Sequence, residues 1–206
     1  MKIVKASYLI LSKIESSEML KSIERAGRTC YKSEGHMNEE TSRAFVKMLI
    51  ERGHESVLEH EKISVLFVCD RGVSHELVRH RIASFSQEST RYCNYAKGKF
   101  DNELTFIDIK EHMTEEQYRD WLNAIGVAED MYLSQIELGS APQIARSVLP
   151  NSLKTEIVVT ANLREWRTIF KQRTAKAAHP QMRELMRPLL DELKNEIPVV
   201  FDDISY

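Results

Sequence analysis

The segment from Arg79 to Arg91 concentrates side chains that bind anions. It carries three arginines, one histidine and four hydroxyl residues. A guanidinium group presents a planar fork of donors that fits phosphate or carboxylate oxygens. Hydroxyls and the backbone amides of a tight turn can complete such a site. The composition predicts a local anion-binding site, with a solvated polar loop as the ordinary alternative.

A second group of reactive side chains lies between His54 and His60. It contains two histidines and, at Glu55 and Glu59, two carboxylates, which taken alone would suit a metal ion. The H-E-x-x-H spacing of a zinc-binding helix does not occur, so we predict no metal site. The chain also lacks G-x-G-x-x-G and a Walker lysine loop, and the sequence therefore does not indicate a Rossmann-type dinucleotide site.

The three cysteines give no indication of a redox or zinc centre. Cys30, Cys69 and Cys93 are widely spaced and form no C-x-x-C pair. The sequence therefore does not predict a thiol nucleophile.

Composition places the chain among globular domains. Its 206 residues are 42% hydrophobic and 29% charged, and the net charge is -2. This charge provides no general attraction to nucleic acid or to anionic lipid, so we expect neither as a partner. No apolar run approaches the roughly 18–20 residues that span a bilayer, and the first residues lack a secretory pattern. We therefore expect a cytoplasmic protein.

Hydrophobic periodicity and turn residues predict a single α+β domain over residues 1–206, with a small, mainly antiparallel sheet packed by helices. The predicted strands cover residues 1–10, 62–69, 104–107 and 155–160. The predicted helices cover 16–25, ended by Gly27, and 38–52, 73–81, 114–138, 142–150, 162–173 and 180–195.

The predicted helix over residues 73–81 includes the start of the arginine-rich segment and places some of its side chains on one face. Glu76, Arg79 and His80 have the spacing i, i+3 and i+4, which places them together and away from Val73 and Leu77. The simplest alternative is a surface pair worth a few tenths of a kcal/mol. The hydroxyl-rich half that follows is expected to be a loop or an irregular strand.

The arginine-rich segment matches the pattern RHRxxSxxxxSxR at its fixed positions Arg79, His80, Arg81, Ser84, Ser89 and Arg91. Through this pattern the chain resembles the flavin-dependent thymidylate synthases. Similar segments occur in the family's order at 53–60, 144–150 and 160–164, and in a last stretch from Arg173 through His179 and Gln181. The resemblance implies a homotetramer that holds FAD between its chains.

The same resemblance implies which residues bind the ligands. Those at the flavin are His54, Ser56, Glu59, Arg79, His80, Arg81, Gln87, Asn162 and Arg164, with His60 and Cys30 nearby, the latter in a turn. Those at the nucleotide substrate are Glu76, Arg79, Gln87, Glu88, Ser89, Thr90, Arg91, Arg146 and Arg173. Arg173 is the implied catalytic residue, because a cation over the uracil ring lowers the pKa of its N3 and makes C5 a better nucleophile.

The activity implied by the resemblance is the conversion of dUMP to dTMP. Methylenetetrahydrofolate supplies the carbon, and NADPH reduces FAD, which passes on a hydride without an enzyme thiol. The chain departs from the common family pattern at three ligand positions. Relatives often carry Gln where this chain has Glu76, Glu where it has Gln87, and an apolar residue where it has Glu88.

Two other classes of function remain open from the residues themselves. A single-stranded RNA-binding module could use the arginine-rich segment with Phe85, Tyr92 and Tyr95 as stacking surfaces. A structural oligomerisation domain could use the same arginines as interface anchors. Neither class predicts the further segments that contain His54, Arg146 and Asn162.

Overall fold

The computed structural model describes residues 1–38, 40–98 and 102–206. Its strands are β1 (Lys2–Val4), β2 (Ser7–Ile10), β3 (Lys62–Asp70), β4 (Ala83–Gln87), β5 (Thr105–Ile107) and β6 (Lys154–Asn162). Its α-helices are α1 (Ser16–Tyr31), α2 (Thr41–Glu51), α3 (Arg71–Leu77), α4 (Glu115–Glu137), α5 (Pro142–Ala145), α6 (Leu163–Arg173) and α7 (Pro180–Glu196). None of the helices in the described ranges combines the length and apolar character needed to cross a bilayer.

The described residues form two compact units, each assembled from separate stretches of the chain. The first unit contains Met1–Ser7, Phe67–Arg79 and Ser86–Ile157. The second unit contains Tyr8–Leu66, His80–Phe85 and Val158–Tyr206. Strands β3, β4 and β6 each contribute part of their length to both units.

Two sheets organise the strands. β1 pairs in parallel with β5, and a four-stranded sheet has the order β2-β3-β6-β4. β3 and β6 run antiparallel, because Leu163 N donates to Glu61 O and, further along, Ser64 Oγ lies 2.8 Å from Thr160 Oγ1. The expected mixture of helices with a small sheet is confirmed.

The first unit has its own apolar core. Buried side chains from β5, α4 and α5 meet those of Tyr95, Leu104 and Leu153. The rings of Tyr95 and Tyr132 lie 5.7 Å apart in a tilted arrangement that aromatic pairs favour. This core holds α4 and α5 in place, and the residues that follow α5 reach one of the cavities described below.

The core of the second unit is organised around α6. Trp166 is fully buried and its indole Nε1 donates to Ile63 O on β3 at 3.1 Å. Phe170, one turn later, meets Phe201 edge to face at 5.5 Å. These contacts fix the rotation of α6, and hence the directions in which its polar side chains point.

Two of the element predictions were wrong at the N-terminal end of the chain. The predicted strand over residues 1–10 is two strands that belong to different sheets. The helix expected to end at Gly27 continues to Tyr31, because Gly27 lies where α1 packs on α2. A Cβ at Gly27 would be 2.8 Å from Phe45 Cε1 and 2.9 Å from Leu49 Cδ1, so this glycine permits close packing and does not end the helix.

The second helix begins at Thr41 and not at residue 38, and residue 39 of the predicted range lies outside the described residues. Asn38 Oδ1 accepts from Glu40 N at 2.9 Å, so Asn38 forms a local turn ahead of the helix. The predicted helix ends at residues 52 and 138 agree with the structure to within one residue, and Gly53 and Gly139, which follow them, adopt positive φ.

The helix predicted over residues 73–81 is displaced toward the N-terminus. Asp70 Oδ1 accepts from Val73 N at 2.7 Å and caps α3, which ends at Leu77. Arg79 N then bonds to Glu76 O in a tighter turn, and β4 begins at Ala83. Glu76, Arg79 and His80 therefore do not share a helical face, and Val78 is exposed.

Candidate active site

The first unit contains a cavity of about 440 Å³ that we call the cationic cavity. Its lining includes Arg71 and His75 of α3, Thr90 of the arginine-rich segment, and Arg146 just after α5. The described residues that line it include no carboxylate. A cavity that combines guanidinium groups and a hydroxyl in this way suits a phosphate-bearing ligand.

Arg146 is oriented within this cavity by a residue of the signature segment. Its Nη1 donates to Thr90 Oγ1 at 2.9 Å, and Thr90 is only 4% exposed. The hydroxyl thus holds the guanidinium without neutralising it, whereas a carboxylate would remove its net charge. Two residues predicted to bind the nucleotide, 56 positions apart, are therefore brought into direct contact.

Arg71 adds a feature to the cationic cavity that the sequence did not indicate. Its Nη1 is buried and has no hydrogen-bond partner in the described part of the chain. Buried polar groups are normally paired, so this donor is available to an acceptor that enters the cavity, whether a water or a ligand oxygen.

The remaining residues of the signature's second half are tied into the first unit. Gln87 Nε2 donates to Ser74 Oγ at 2.9 Å and to Thr155 Oγ1 at 3.2 Å. Glu88 accepts from Tyr95 OH at 3.1 Å and from Lys154 Nζ at 3.2 Å. The departures from the family at these two positions are therefore accommodated by neighbouring partners.

Several backbone amides in and just after residues 87–91, where backbone donors were expected to help hold a phosphate, already have partners within the chain. Arg91 N donates to Ser89 Oγ, and Tyr92 N and Cys93 N both donate to Ser89 O. Glu88 N bonds to Glu156 O. These four amides are already paired, whereas the exposed guanidinium of Arg91 can bind an anion here.

The second unit contains a cavity of about 390 Å³ with a mixed lining, which we call the mixed cavity. Its polar residues include His54, Ser56 and Arg164, and its apolar surface includes Leu49 and Val57. Three residues predicted to bind the flavin are thus gathered at one surface. Polar groups set against an apolar wall match what part of a flavin cofactor requires, and the volume lies in the usual range for ligand sites.

The predicted flavin residues beside the mixed cavity are positioned by α6. Asn162 Oδ1 accepts from Glu165 N at 2.8 Å and caps this helix. Arg164 Nη1 lies 2.5 Å from Glu59 Oε1, which joins this arginine to one further predicted residue in an exposed ion pair. Cys30 lines the same cavity but lies in the last turn of α1, not in the expected turn.

A buried ion network supports the wall of the mixed cavity. Arg167 is 1% exposed and donates to Glu55 Oε1 at 3.0 Å and to both carboxylate oxygens of Asp203. Its guanidinium lowers the pKa of Asp203. Because Glu55 is fixed, the short 3-10 helix Glu55–His60 that carries Ser56 and Glu59 is held against α6.

His80 and Arg173, both expected at the ligands, contact each other within the second unit. Arg173 Nε donates to His80 Nε2 at 3.0 Å, and His80 Nδ1 lies 3.3 Å from Glu165 Oε1. His80 is 5% exposed, and burial together with the charge of Arg173 lowers its pKa to about 4. His80 is therefore a neutral imidazole at physiological pH.

The other predicted site residues are distributed as follows. Arg79, Arg81, His60 and His179 are exposed, Ser89 and Glu76 are half-buried, and Gln181 is buried.

Sequence reasoning missed three polar residues of these sites, namely Arg71, His75 and Glu165. Arg71 and His75 precede the signature. The helix was predicted to begin at residue 73, two residues after the observed start of α3, so Arg71 was not placed on it. Glu165 stands three residues after Asn162, a spacing that suggests helix capping and so masked its contact with His80.

Comparisons with known proteins agree with the resemblance. Residues 13–199 match the sequence model of the family described as thymidylate synthase complementing protein. A flavin-dependent thymidylate synthase of Corynebacterium aurimucosum is 35% identical over 202 residues, covering 91% of this chain and 81% of that protein. One of Geobacter sulfurreducens is 34% identical, covering 86% of this chain and 78% of that protein.

Solved structures share the fold. A UMP/dUMP methylase from Streptomyces cacaoi, solved with 5-Br dUMP, superposes with a TM-score of 0.81 at 20% identity, covering 98% of this chain and 96% of that chain. The flavin-dependent thymidylate synthase of Helicobacter pylori, solved with FAD and dUMP, superposes with a TM-score of 0.77 at 22% identity, covering 98% of this chain and all of that chain. Given the match over 13–199 and the identity to these curated relatives, the chain belongs to the flavin-dependent thymidylate synthase family.

Proposed function

We propose that this protein catalyses the reductive methylation of dUMP to dTMP. Methylenetetrahydrofolate supplies the carbon and NADPH the reducing equivalents, so that tetrahydrofolate and NADP⁺ are the other products. The observation that carries the proposal is the complete RHRxxSxxxxSxR signature in a chain of this family, with Thr90 of its second half in contact with Arg146 in the cationic cavity.

The cationic cavity is the proposed site of the dUMP phosphate. Arg146, pre-oriented by Thr90, and the unpaired Nη1 of Arg71 supply charge-assisted donors. Ser89 and Arg91 add side-chain donors from the signature, and Glu76, Arg79, Gln87 and Glu88 are proposed to border the rest of the nucleotide.

The mixed cavity, with its apolar wall, is proposed to hold part of FAD. His54, Ser56, Glu59, Asn162 and Arg164 would contact the cofactor from this unit, and the signature residues Arg79, His80, Arg81 and Gln87 are proposed to complete its binding. When bound, FAD supplies the hydride that completes the methyl group. The residues of this chain bind, orient and exclude water.

Arg173 is the proposed catalytic residue. A guanidinium above the uracil ring stabilises the ring with N3 ionised, which increases the nucleophilicity of C5. No thiol is needed for this step. Cys69 in particular is unsuited to nucleophilic attack, because it is fully buried and burial, together with the charge of Asp70, raises its pKa to about 12.

We further propose that residues 1–206 act as one catalytic domain in a cytoplasmic homotetramer, with ligands shared between chains. The span of the family match, which includes stretches of both compact units, supports a single functional domain. Size determination by light scattering at several concentrations tests the tetramer, and a monomer that retains full activity would contradict shared sites.

The first experiment is an activity assay with the purified protein, FAD, NADPH, methylenetetrahydrofolate and dUMP, in which dTMP is quantified by chromatography. We expect dTMP only when all components are present, and UMP serves as the ribonucleotide comparison. Arg173→Ala is expected to abolish turnover while the protein stays folded and keeps FAD. A folded, flavin-loaded wild-type protein that forms no dTMP would contradict the proposal.

Visible absorbance separates this function from the two alternatives. After incubation with FAD and desalting, we expect the protein to retain flavin bands that shift when dUMP is added. A protein that retains no flavin and instead binds single-stranded RNA would favour the RNA-binding alternative.

A further inference from the structure

We propose that Glu165 and His80 form a positioning pair that orients Arg173 for its action on the uracil ring. The inference rests on the proposed function of Arg173, and it gives His80, besides the flavin contact proposed above, a task that it shares with Glu165. It also gives Glu165 a role in the reaction that its position in the first turn of α6 does not suggest.

The geometry places the imidazole between the two ends of one helix. Glu165 lies in the first turn of α6 and Arg173 is its last residue, so their Cα atoms are separated by roughly 12 Å along the helix axis. His80 bridges this distance through its two nitrogens, at 3.3 Å from Glu165 Oε1 and 3.0 Å from Arg173 Nε. Helix α6 is rigidly anchored by buried Trp166 and Arg167, so the bridge has a fixed base.

The chemistry of the three groups determines where the proton of His80 lies. A guanidinium only donates, so His80 Nε2 must carry a lone pair to accept from Arg173 Nε. The single proton of the neutral ring is therefore on Nδ1, and Glu165 Oε1 lies 3.3 Å from that nitrogen. A carboxyl group beside Nδ1 favours the tautomer that can hold Arg173, in the way that carboxylates orient imidazoles in other sites.

Burial restricts both the protonation states of His80 and Glu165 and the orientation of Arg173. Glu165 is 8% exposed, and burial raises its pKa, while burial and Arg173 lower that of His80. Arginine has many rotamers and loses their freedom when it is fixed. A bond at Nε sets the plane of the guanidinium before substrate arrives, and such preorganisation matters because a displacement of about 1 Å can cost on the order of 100-fold in rate.

Two matched pairs of variants test the assignment. Glu165→Gln keeps an acceptor for Nδ1–H, whereas Glu165→Leu has similar size and none. His80→Gln can still accept from Arg173, whereas His80→Phe cannot. We expect Leu and Phe to lower kcat by about 10- to 100-fold with a much smaller change in the KM for dUMP, and each Gln variant to recover much of the loss. Gln172→Leu, at an exposed position of α6, is the control.

The decisive measurement is the ionisation of a bound ring, because a merely structural role would leave it unchanged. Ultraviolet difference spectra of bound 5-fluoro-dUMP over a range of pH report the pKa of its N3. We expect the wild type and Gln172→Leu to lower this pKa, Arg173→Ala to abolish the effect, and His80→Phe and Glu165→Leu to reduce it. If Arg173→Ala removes the effect while the other two leave it intact, the positioning pair is wrong and the function of Arg173 stands.

A spectrum of the wild-type protein keeps the proposal testable even if His80→Phe and Glu165→Leu fold poorly. Long-range ¹H–¹⁵N correlation distinguishes the two neutral tautomers of histidine and the imidazolium, and His80→Gln identifies the His80 signals among those of the 7 histidines. The Nδ1–H tautomer at neutral pH is expected. An Nε2–H tautomer or an imidazolium would overturn the proposal. A wild type that binds neither dUMP nor FAD would instead refute the proposed function.

Discussion

The two cavities of this protein differ in the charges that line them. The cationic cavity of the first unit has Arg71, His75 and Arg146 and no carboxylate among its described lining residues. The mixed cavity of the second unit combines His54, Glu55 and Arg164 with aliphatic side chains. Lining charge is a direct indicator of ligand chemistry, since a phosphate needs donors and net positive charge, whereas a flavin ring needs an apolar surface with a few directed polar groups.

The cavities also differ in how their arginines are held. Arg146 is held by the hydroxyl of Thr90, which leaves its charge uncompensated by that contact. Arg164 is paired with the carboxylate of Glu59, which balances the charge. The difference indicates that the cationic cavity attracts an anion, whereas in the mixed cavity the ion pair provides a polar surface without net charge. It predicts that substitutions in one cavity should affect one ligand only.

The largest effect is expected from Arg146→Ala. Loss of a charge-assisted contact in the cationic cavity should weaken dUMP binding by about 10- to 100-fold and leave FAD binding unchanged. Calorimetric titration measures the first and flavin absorbance the second. Arg119→Ala, at an exposed position on α4 of the same unit, is the control. Equal loss of both ligands would mean that the cavities are not functionally separate.

A smaller loss of dUMP affinity, with no loss of stability in the ligand-free protein, is expected from Arg71→Met. Removing the buried, unpaired Nη1 should weaken dUMP binding by about tenfold. Because the aliphatic replacement removes an unsatisfied buried donor, the Tm of the ligand-free protein should be unchanged or higher. Thermal unfolding with and without dUMP measures both effects. A clear fall in the Tm of the ligand-free protein would identify Arg71 as a structural residue.

The reciprocal test is Arg164→Ala in the mixed cavity. Since Arg164 is exposed and its ion pair with Glu59 contributes little to stability, the protein should stay folded. We expect FAD binding to weaken a few-fold and dUMP binding to be unaffected, as measured by the same two titrations. Arg25→Ala, at an exposed position on α1, is the control. A change in dUMP affinity alone would reverse the assignment of this cavity.

The smallest effect is a change in cysteine reactivity. Cys30 is exposed at the mixed cavity, so bound FAD should slow its alkylation several-fold, while dUMP should not. Cys69 provides the internal control, because its burial and its pKa of about 12 keep it unreactive in the folded protein. Peptide mass mapping after a timed iodoacetamide pulse gives both rates. Protection by dUMP but not by FAD would place the nucleotide at the mixed cavity.

Periodicity and capping patterns predicted most helices and strands. The predicted boundaries were wrong where a residue has a role that depends on its tertiary contacts. Gly27 was interpreted as a helix stop because glycine usually has that role, yet here it allows α1 and α2 to approach. The start of α3 was misplaced because Asp70, at the end of an apolar strand, also serves as its cap. No glycine or proline marks the end of α3 at Leu77.

The sequence by itself determined the family, the kinds of side chain available for binding and the positions of most elements, because these depend on local spacing and residue type. Only the tertiary structure decided which of those side chains act together. The contact of His80 with Arg173 joins residues 93 positions apart, and Glu165 enters only through the fold of α6. Such pairings depend on how helices rotate and pack, which no local pattern encodes.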